Sequence, residues 1–238
     1  MHALASRWGA IEARLAALEG GAPAPGARAP AAGAAMPASD AGDGSPVRAR
    51  LAAELESRSV PHAFKRVCAD YYDRELPSRA AELGEESVEG LCKTLCLKNT
   101  AFRPSPSLSL PSGDPLRSQH ILVVAQYCAR FDAERLKKGL LASAGGRVPA
   151  KAVNFRLAPE AESAALTGYE HNAVTPVGCA TRLPVVLSAE VADRPHFWLG
   201  GGEVDLKLAV ATASFVKAYG AVVLDVTHGS GEGGEEAA

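Results

Sequence analysis

No stretch of the 238-residue chain approaches the roughly 20 consecutive apolar residues that a membrane-spanning helix needs. There is also no excess of one charge: the formal net charge is -2 and the pI is about 6.3. A protein that coats nucleic acid with positive charge over its whole surface is therefore not expected, although a local basic patch is compatible with these values. The length and the 47% hydrophobic content favour one domain of moderate size with appendages and no membrane contact.

The cysteines do not form a disulfide framework. They number five, an odd count, and lie in apolar stretches at Cys68, Cys92, Cys96, Cys128 and Cys179. Free thiols in a reducing compartment fit this pattern, and with no secretion signal in view we predict a cytoplasmic location. Cys92 and Cys96 lack a second Cys/His pair at zinc-finger spacing, so we interpret them as small buried hydrophobic residues and predict no metal.

Nucleotide-binding fingerprints are missing as well. The run Gly200-Gly201-Gly202 lacks the Lys and Ser/Thr of a P-loop, and either lets a backbone or ligand approach closely or makes a simple bend. No glycine-rich phosphate motif follows a predicted strand. The helical and strand patterns alternate irregularly, which predicts a mixed α+β protein instead of a dinucleotide-binding fold.

Composition divides the chain into four regions. Residues 1–19 carry an apolar seam with spacings of 4, 3, 4 and 3, which predicts an amphipathic helix. It is interpreted as a helix for a partner or for self-association, with packing on its own domain or a targeting fragment as alternatives. Residues 20–46 predict a disordered Ala/Pro/Gly linker, 47–228 the folded domain, and 229–238 a disordered tail.

Periodicity and capping signals predict the elements of the folded domain. Helices are expected over 47–57, 76–83, 133–141, 159–166 and 209–218. Strands are expected over 62–67, 91–98, 120–127, 153–157, 184–191, 197–199, 204–208 and 221–226.

Lys93 interrupts an apolar strand, Leu91-Cys92-Lys93-Thr94-Leu95-Cys96-Leu97. Alternation places its side chain on the same face as Leu91, Leu95 and Leu97. An unpaired buried ammonium is costly, so Lys93 either extends to solvent, pairs with an acid or lines a pocket.

The segment from Thr167 to Cys179 is polar, is interrupted by Gly and Pro, and is too long for a hairpin turn. Such a loop can aim several backbone N–H groups at one point, although a structural corner is the alternative. The basic residues Arg130, Lys137, Lys138 and Lys151 lie in a stretch with few acids, and indicate either a solvated surface or contact with a phosphate backbone.

The order of the segments LCKTLCLKN, ILVVAQY, TGYEHNAVTPVGC and PVVLSAEV…FWLGGGEVDLKLAVATASF resembles the YbaK/prolyl-tRNA synthetase editing-domain family over nearly the whole folded region. The resemblance implies an α+β fold whose mixed, strongly curved sheet has about six or seven strands flanked by helices. It also implies hydrolysis of mischarged aminoacyl-tRNA without metal, cofactor or covalent enzyme nucleophile. Partners would be aminoacyl-tRNA and an aminoacyl-tRNA synthetase.

The resemblance also implies roles for particular residues. Lys93 stands in the family's K-T-L setting, and the substrate loop's Gly-x-x-x-Pro motif aligns with Asn172 to Pro176, so Asn172 replaces the motif glycine. Because Asn tolerates positive φ best among non-glycine residues, the loop's path is expected to survive, while either the amino-acid preference changes or editing is lost. The catalytic candidates are Lys93 and Gly178; the substrate-binding candidates are Gly168, Tyr169, His171, Asn172, Ala173, Val174, Thr175, Pro176 and Gly201.

The expected reaction is trans-editing of small aminoacyl groups, such as Ala or Cys on tRNA-Pro, with Lys93 anchoring the terminal phosphate or stabilising charge. Two other functions remain open at this point. Cys179 and His171 could form the dyad of a thiol hydrolase. Alternatively, the domain could be a non-catalytic module that binds tRNA or a synthetase and regulates it.

Overall fold

The structure is a computed structural model and describes residues 35–104 and 113–228. The predicted helix over 1–19, the tail over 229–238 and most of the predicted linker lie outside these residues. The helices of the described part are α1 (Pro46–Ser57), α2 (Leu76–Leu83), α3 (Ala133–Ser143), α4 (Glu160–Thr167), α5 (Ala189–Ala192) and α6 (Thr212–Tyr219). None of them is both long enough and apolar enough to cross a membrane.

The described strands form three sheets. A five-stranded mixed sheet has the order β5 (Phe155–Leu157), β2 (Cys92–Asn99), β3 (His120–Gln126), β6 (Val185–Ser188) and β9 (Val222–Leu224). In it β2 runs antiparallel to β3 and β5, while β3, β6 and β9 run parallel. An antiparallel three-stranded sheet has the order β1 (His62–Arg66), β8 (Leu206–Ala211) and β7 (His196–Gly200), and β4 (Arg130–Phe131) pairs with β10 (Thr227–His228).

Side-chain alternation along these strands generates three cores. The central core lies between the two larger sheets and contains Phe197 and Leu208 from one sheet and Val124 and Leu187 from the other. Helix α3 covers the other face of the five-stranded sheet. Helix α2 covers the other face of the three-stranded sheet, where Trp198 is buried. The cluster of tyrosines and cations described below lies where this third core meets the first residues of β2.

The α+β class is confirmed, and most predicted elements occur within a few residues of their expected positions. Among the described residues, however, the strands number ten and lie in three sheets, whereas six or seven strands in one sheet were expected. The helix expected from Ala209 begins only at Thr212, because Ala209 and Val210 pair with both β1 and β7, and Ala211 pairs with β7 and completes β8. The strand expected over 184–191 ends at Ser188, where α5 begins.

The last part of the predicted linker belongs to the folded domain, which corrects the expected domain boundary. Although residues 35–45 form no helix or strand, they hydrogen-bond to the domain. The Asp40 N–H donates to Phe64 O at 2.8 Å, and the Asp40 carboxylate accepts the Arg66 N–H at 2.8 Å. Ser45 caps α1 by accepting the Arg48 N–H at 3.1 Å. The ordered domain therefore begins before residue 47.

Candidate active site

Lys93 is the second residue of β2 and pairs with Ala125 of β3. Its side chain is half-buried, and Nζ lies 5.6 Å from the centroid of the Tyr127 ring. Next to it, the Thr94 hydroxyl oxygen is buried and has no hydrogen-bond partner among the described residues. The lysine charge is thus held at the edge of the sheet, beside an aromatic ring.

Three tyrosines, Tyr71, Tyr72 and Tyr127, form a cluster around further cations. The Arg79 guanidinium lies 5.8, 5.4 and 5.9 Å from their ring centroids, in that order. The ammonium of Lys207 lies 4.3 Å from the Tyr72 ring centroid and 5.0 Å from that of Tyr71. Positive charge held over aromatic faces suits a ligand that has both an anionic group and a flat base.

Lys207 is a buried lysine and the second residue of β8. Only 4% of its surface is exposed, and burial lowers its pKa to about 8. Nζ donates to the Tyr72 hydroxyl at 2.5 Å and to Val204 O at 2.9 Å. Both partners are neutral, so these bonds satisfy the ammonium without neutralising its charge.

The Tyr72 hydroxyl joins this cluster to the loop 168–179. It donates to the carbonyl oxygen of Asn172 at 2.7 Å. Burial, with the nearby Tyr127 phenol, raises the pKa of Tyr72, so its proton remains available for this bond. Asn172 has φ 65°, which confirms that asparagine adopts the left-handed conformation where the related motif has glycine.

Helix α1 holds the other end of the loop. Tyr169 is buried and donates its hydroxyl hydrogen to Val177 O at 2.6 Å. Arg50 donates to that hydroxyl at 3.2 Å and to Gly178 O at 2.5 Å. A Cβ at Gly178, whose φ is 65°, would lie 2.5 Å from Leu51 Cδ2, so this position requires glycine.

The middle of the loop passes close over β7. A Cβ at Gly200 would lie 2.7 Å from Val174 O and 2.8 Å from Ala173 O. The Gly202 N–H donates to Ala173 O at 3.1 Å. Close backbone approach is therefore made at Gly200 and Gly202, whereas the N–H of the predicted binding residue Gly201 donates to Leu206 O within its own turn.

The remaining predicted loop residues divide by exposure. Thr175 and Pro176 are buried and shape the loop from within, and Val174 is half-buried. Gly168, with φ 78°, ends α4 and is exposed, as is His171. The exposed residues lie on the solvent side of the loop.

The thiol-hydrolase alternative is not supported by the geometry of Cys179. Its thiol donates to Thr175 O at 3.1 Å. Burial raises the pKa of Cys179 to about 12, so the thiol is protonated at neutral pH and is a poor nucleophile. His171 is exposed, and the described contacts of the thiol do not include its ring.

A small crevice lies behind the tyrosine cluster. Its volume is about 20 Å³, and its walls include Tyr72, Cys92, Tyr127, Trp198, Gly200 and Lys207. The two tyrosines are those that contact Asn172 and Lys93, respectively. The crevice thus lies beside the tyrosines through which Lys93 and the loop are connected.

The predicted basic contacts lie elsewhere. Arg130 and Lys137 line a cavity of about 350 Å³ together with Arg156 and His228. The acids Asp132 and Glu134 lie in the same wall. Lys138 and Lys151 are exposed and are not part of this cavity.

Residues 75–218, more than half of the chain, match the family described as the aminoacyl-tRNA editing domain. The chain belongs to this family. The matched region includes Lys93, the loop 168–179, Tyr127 and Lys207, but begins after Tyr71 and Tyr72. A search of curated proteins found no match to this chain.

Solved structures share the fold of this editing domain. One, described as a candidate trans-editing enzyme for prolyl-tRNA synthetase, has a TM-score of 0.56 at 21% identity and covers 78% of this chain and 99% of its own. A hypothetical protein has a TM-score of 0.55 at 23% identity and covers 75% of this chain and 99% of its own. A scaffold carrying a computationally grafted epitope has a TM-score of 0.56 at 21% identity, with the same coverage as the first.

Sequence reasoning missed Tyr72, Arg79, Tyr127 and Lys207, which form a cluster of cations and tyrosines beside Lys93. Lys207 had a detectable signal, because it interrupts the apolar strand Leu206–Ala211 as Lys93 interrupts its own strand. The tyrosines and Arg79 had none, since their meeting depends on how α2 and β3 approach each other.

Proposed function

We propose that this editing domain hydrolyses, in trans, the ester bond of mischarged aminoacyl-tRNA, with small groups such as Ala or Cys on tRNA-Pro as substrates. The observation that supports it best is the continuous set of contacts from Lys93 to the loop. Lys93 lies over Tyr127, whose phenol neighbours Tyr72, and the Tyr72 hydroxyl bonds to Asn172 O. Two tyrosines therefore link the strand that carries Lys93 to the loop.

In the proposed mechanism the 3′-terminal adenosine enters between β2 and the loop. Lys93 and Arg79 supply positive charge for its phosphate, and the half-buried rings of Tyr72 and Tyr127 suit its base. Backbone N–H groups between Asn172 and Gly178 stabilise the oxyanion that develops on the ester carbonyl. The loop is fixed at both ends, which gives these dipoles the preorganisation that such stabilisation needs.

Water is the nucleophile in this proposal, and the vicinal hydroxyl of the tRNA's own terminal ribose assists it. Neither Lys93 nor Cys179 forms a covalent bond with the substrate in this mechanism. This agrees with the protonated, hydrogen-bonded state of the Cys179 thiol. The products are the free amino acid and tRNA with its terminal hydroxyls restored.

The crevice behind the tyrosine cluster supports the preference for small aminoacyl groups. At about 20 Å³ it has room for little more than a methyl or thiol group. Its walls are strand residues and buried aromatics, which cannot move aside cheaply. Larger aminoacyl groups would be excluded by size, which is the principle of a second sieve.

We further propose that Arg130, Lys137, Lys138 and Lys151 contact the tRNA backbone, with Arg130 and Lys137 assisted by Arg156 in their shared cavity. Binding of uncharged tRNA should weaken as salt rises, and Arg130→Ala should reduce the slope of log affinity against log salt by roughly one phosphate contact. Fluorescence anisotropy at several salt concentrations measures both. An unchanged slope in that variant would place the tRNA on another surface.

The test of the function is release of amino acid from purified Ala-tRNA(Pro) and Cys-tRNA(Pro), each incubated with the full chain. Lys93→Ala should abolish release. Lys98→Ala is the matched control, because it removes a lysine from the same strand about 16 Å away, five residues further along at roughly 3.3 Å each. Retained release in Lys93→Ala would refute the assignment of Lys93.

The same experiment separates hydrolysis from the regulatory alternative. A binding module would retain mischarged tRNA without releasing amino acid. The left-handed conformation at Asn172 favours hydrolysis, since asparagine here adopts a backbone conformation that glycine also adopts readily. The free thiols agree with a reducing compartment, and we propose that the activity is cytoplasmic. The helix predicted over 1–19, and its partner, stay predictions.

A further inference from the structure

Two hydrogen bonds connect Lys207 through the Tyr72 hydroxyl to Asn172 O. The protonation state of Lys207 determines which group donates in each of them. An ammonium group has three donors and no acceptor. Protonated Lys207 must therefore donate to the Tyr72 oxygen, and the phenol hydrogen is left to donate to Asn172 O. A neutral amine has a lone pair, so the Tyr72 hydrogen could turn to it and leave the Asn172 carbonyl without its donor.

Asn172 is the point at which such control would matter. It is the left-handed residue of the loop, with φ 65°, and only its carbonyl ties it to the three-stranded sheet through Tyr72 and Lys207 among the described hydrogen bonds. The next residues carry the N–H groups that the proposed mechanism uses. A change in the orientation of the Asn172 peptide would also break the bond from the Ala173 N–H to Glu170 O, and would shift the N–H groups that follow.

We propose that Lys207 is a positioning residue, which acts through Tyr72 on the Asn172 carbonyl and so holds the loop 168–179 in its observed conformation.

The surroundings of Lys207 place this switch near neutral pH. Burial lowers the pKa of Lys207 to about 8; the carboxylate of Asp205 opposes that change, and the Arg79 charge adds to it. Tyr71 and Tyr72 face the ammonium from the turn before α2, and Lys65 is its cross-strand partner on β1. Loss of the loop's restraint is therefore expected as pH rises through about 8.

The consequence for hydrolysis rests on the proposed function, but the effect on the loop does not. Hydrogen exchange of the amides of residues 168–179 reads the loop directly. At pH 7, exchange should be at least about tenfold faster in Tyr72→Phe and in Lys207→Met than in wild type. The double variant should be no faster than the single ones, because the two side chains act as one unit. Tyr71→Phe, which removes a hydroxyl from the neighbouring ring, should leave loop exchange unchanged.

If Lys207 contributed only to stability, its replacement would change the unfolding temperature and the hydrolysis rate together. Removing a buried ammonium relieves its desolvation, so Lys207→Met should not lower the unfolding temperature at pH 7. Under single-turnover conditions its hydrolysis rate should nevertheless fall on the order of 10- to 100-fold, because displaced catalytic groups are costly. Wild-type hydrolysis, corrected for spontaneous hydrolysis, should decline as pH rises through about 8. Tyr72→Phe should show no such decline.

Unchanged loop exchange in both single variants would overturn the proposal, as would faster exchange spread over the whole chain with a lower unfolding temperature. If wild type hydrolyses no aminoacyl-tRNA, the proposed function fails, and the exchange measurement still decides whether Lys207 positions the loop. If Lys207→Met does not fold, Tyr72→Phe, which loses one oxygen atom, supplies the same exchange test.

Discussion

Asn172 has the left-handed backbone conformation on which the path of the proposed substrate loop depends. Its φ of 65° costs most residues roughly 1–2 kcal/mol, costs asparagine less, and costs glycine least. The conformation is compatible with the loop path of the related motif, but the amide side chain adds bulk that a glycine lacks. Stability and specificity should therefore respond differently to changes at this position.

Asn172→Gly should keep the unfolding free energy within about 1 kcal/mol of wild type, because relief of strain offsets the greater freedom of the unfolded chain. It should also widen the range of aminoacyl groups released. Asn172→Ala should lose about 1 kcal/mol, because alanine tolerates the left-handed region poorly. Denaturant unfolding and a panel of aminoacyl-tRNAs measure the two effects. Identical selectivity in wild type and Asn172→Gly would remove the side chain from the specificity argument.

Single residues were predictable from sequence where the strand or loop pattern itself was anomalous. Lys93 in an apolar strand and Asn172 in place of a glycine both had such signals, and Lys207 had one that was not used. Tyr72 and Tyr127 are ordinary half-buried tyrosines in sequence, and their role depends on a meeting between residues about 55 positions apart.

Among the elements, α1 has the most direct control over the loop. Arg50 donates to Gly178 O and to the Tyr169 hydroxyl, and its guanidinium lies 5.7 Å from the Tyr169 ring centroid. Arg48, on the same helix, instead donates to Ala41 O at 2.9 Å and lies 5.3 Å from the Phe64 ring centroid. One helix thus carries two arginines with separable tasks.

Arg50→Ala should reduce hydrolysis on the order of 10-fold or more, because the loop end that carries Gly178 loses its anchor. Its unfolding free energy should fall by only about 1–2 kcal/mol, since the lost bonds are partly exposed. Arg48→Ala is the matched control, and should lose comparable stability without losing hydrolysis. Equal losses of activity in both variants would mean that α1 acts through general stability and not through the loop.

The order of elements was largely predictable because each amphipathic period is local. The division into sheets was not. Apolar alternation in β8 is compatible with either larger sheet, and only its pairing with β1 and β7 on both sides decides the matter. The same pairing explains why Ala209 to Ala211, which have good helix-forming alanines, form strand instead.

For the whole molecule, buried thiols and one buried amine give stability opposite dependences on pH. Burial raises the pKa of Cys92, Cys96, Cys128 and Cys179, so their contribution to stability is complete below the unfolded value of 9.0 and is lost as pH rises further. For Lys207 the folded pKa is lowered to about 8 from 10.5. The unfolded chain then binds more protons between these values, and this group's contribution to stability rises with pH.

Under reducing conditions, the unfolding free energy of wild type should fall between pH 8 and about pH 9.5. That of Lys207→Met should fall more steeply, by about 1.5 kcal/mol over the same range, because it lacks the opposing amine. Urea denaturation at each pH measures both curves. Parallel curves would show that Lys207 titrates outside this range.

Lys93 and the loop 168–179 are proposed to form one hydrolytic site for mischarged tRNA. The most direct test is the single-turnover rate of amino acid release from Ala-tRNA(Pro) and Cys-tRNA(Pro), measured for wild type, Lys93→Ala and Lys98→Ala. Wild type and Lys98→Ala are expected to release amino acid from at least one substrate, and Lys93→Ala is expected to release it at only the spontaneous rate. Wild-type release that survives in Lys93→Ala, or no release by wild type while tRNA still binds, would rule out such a site.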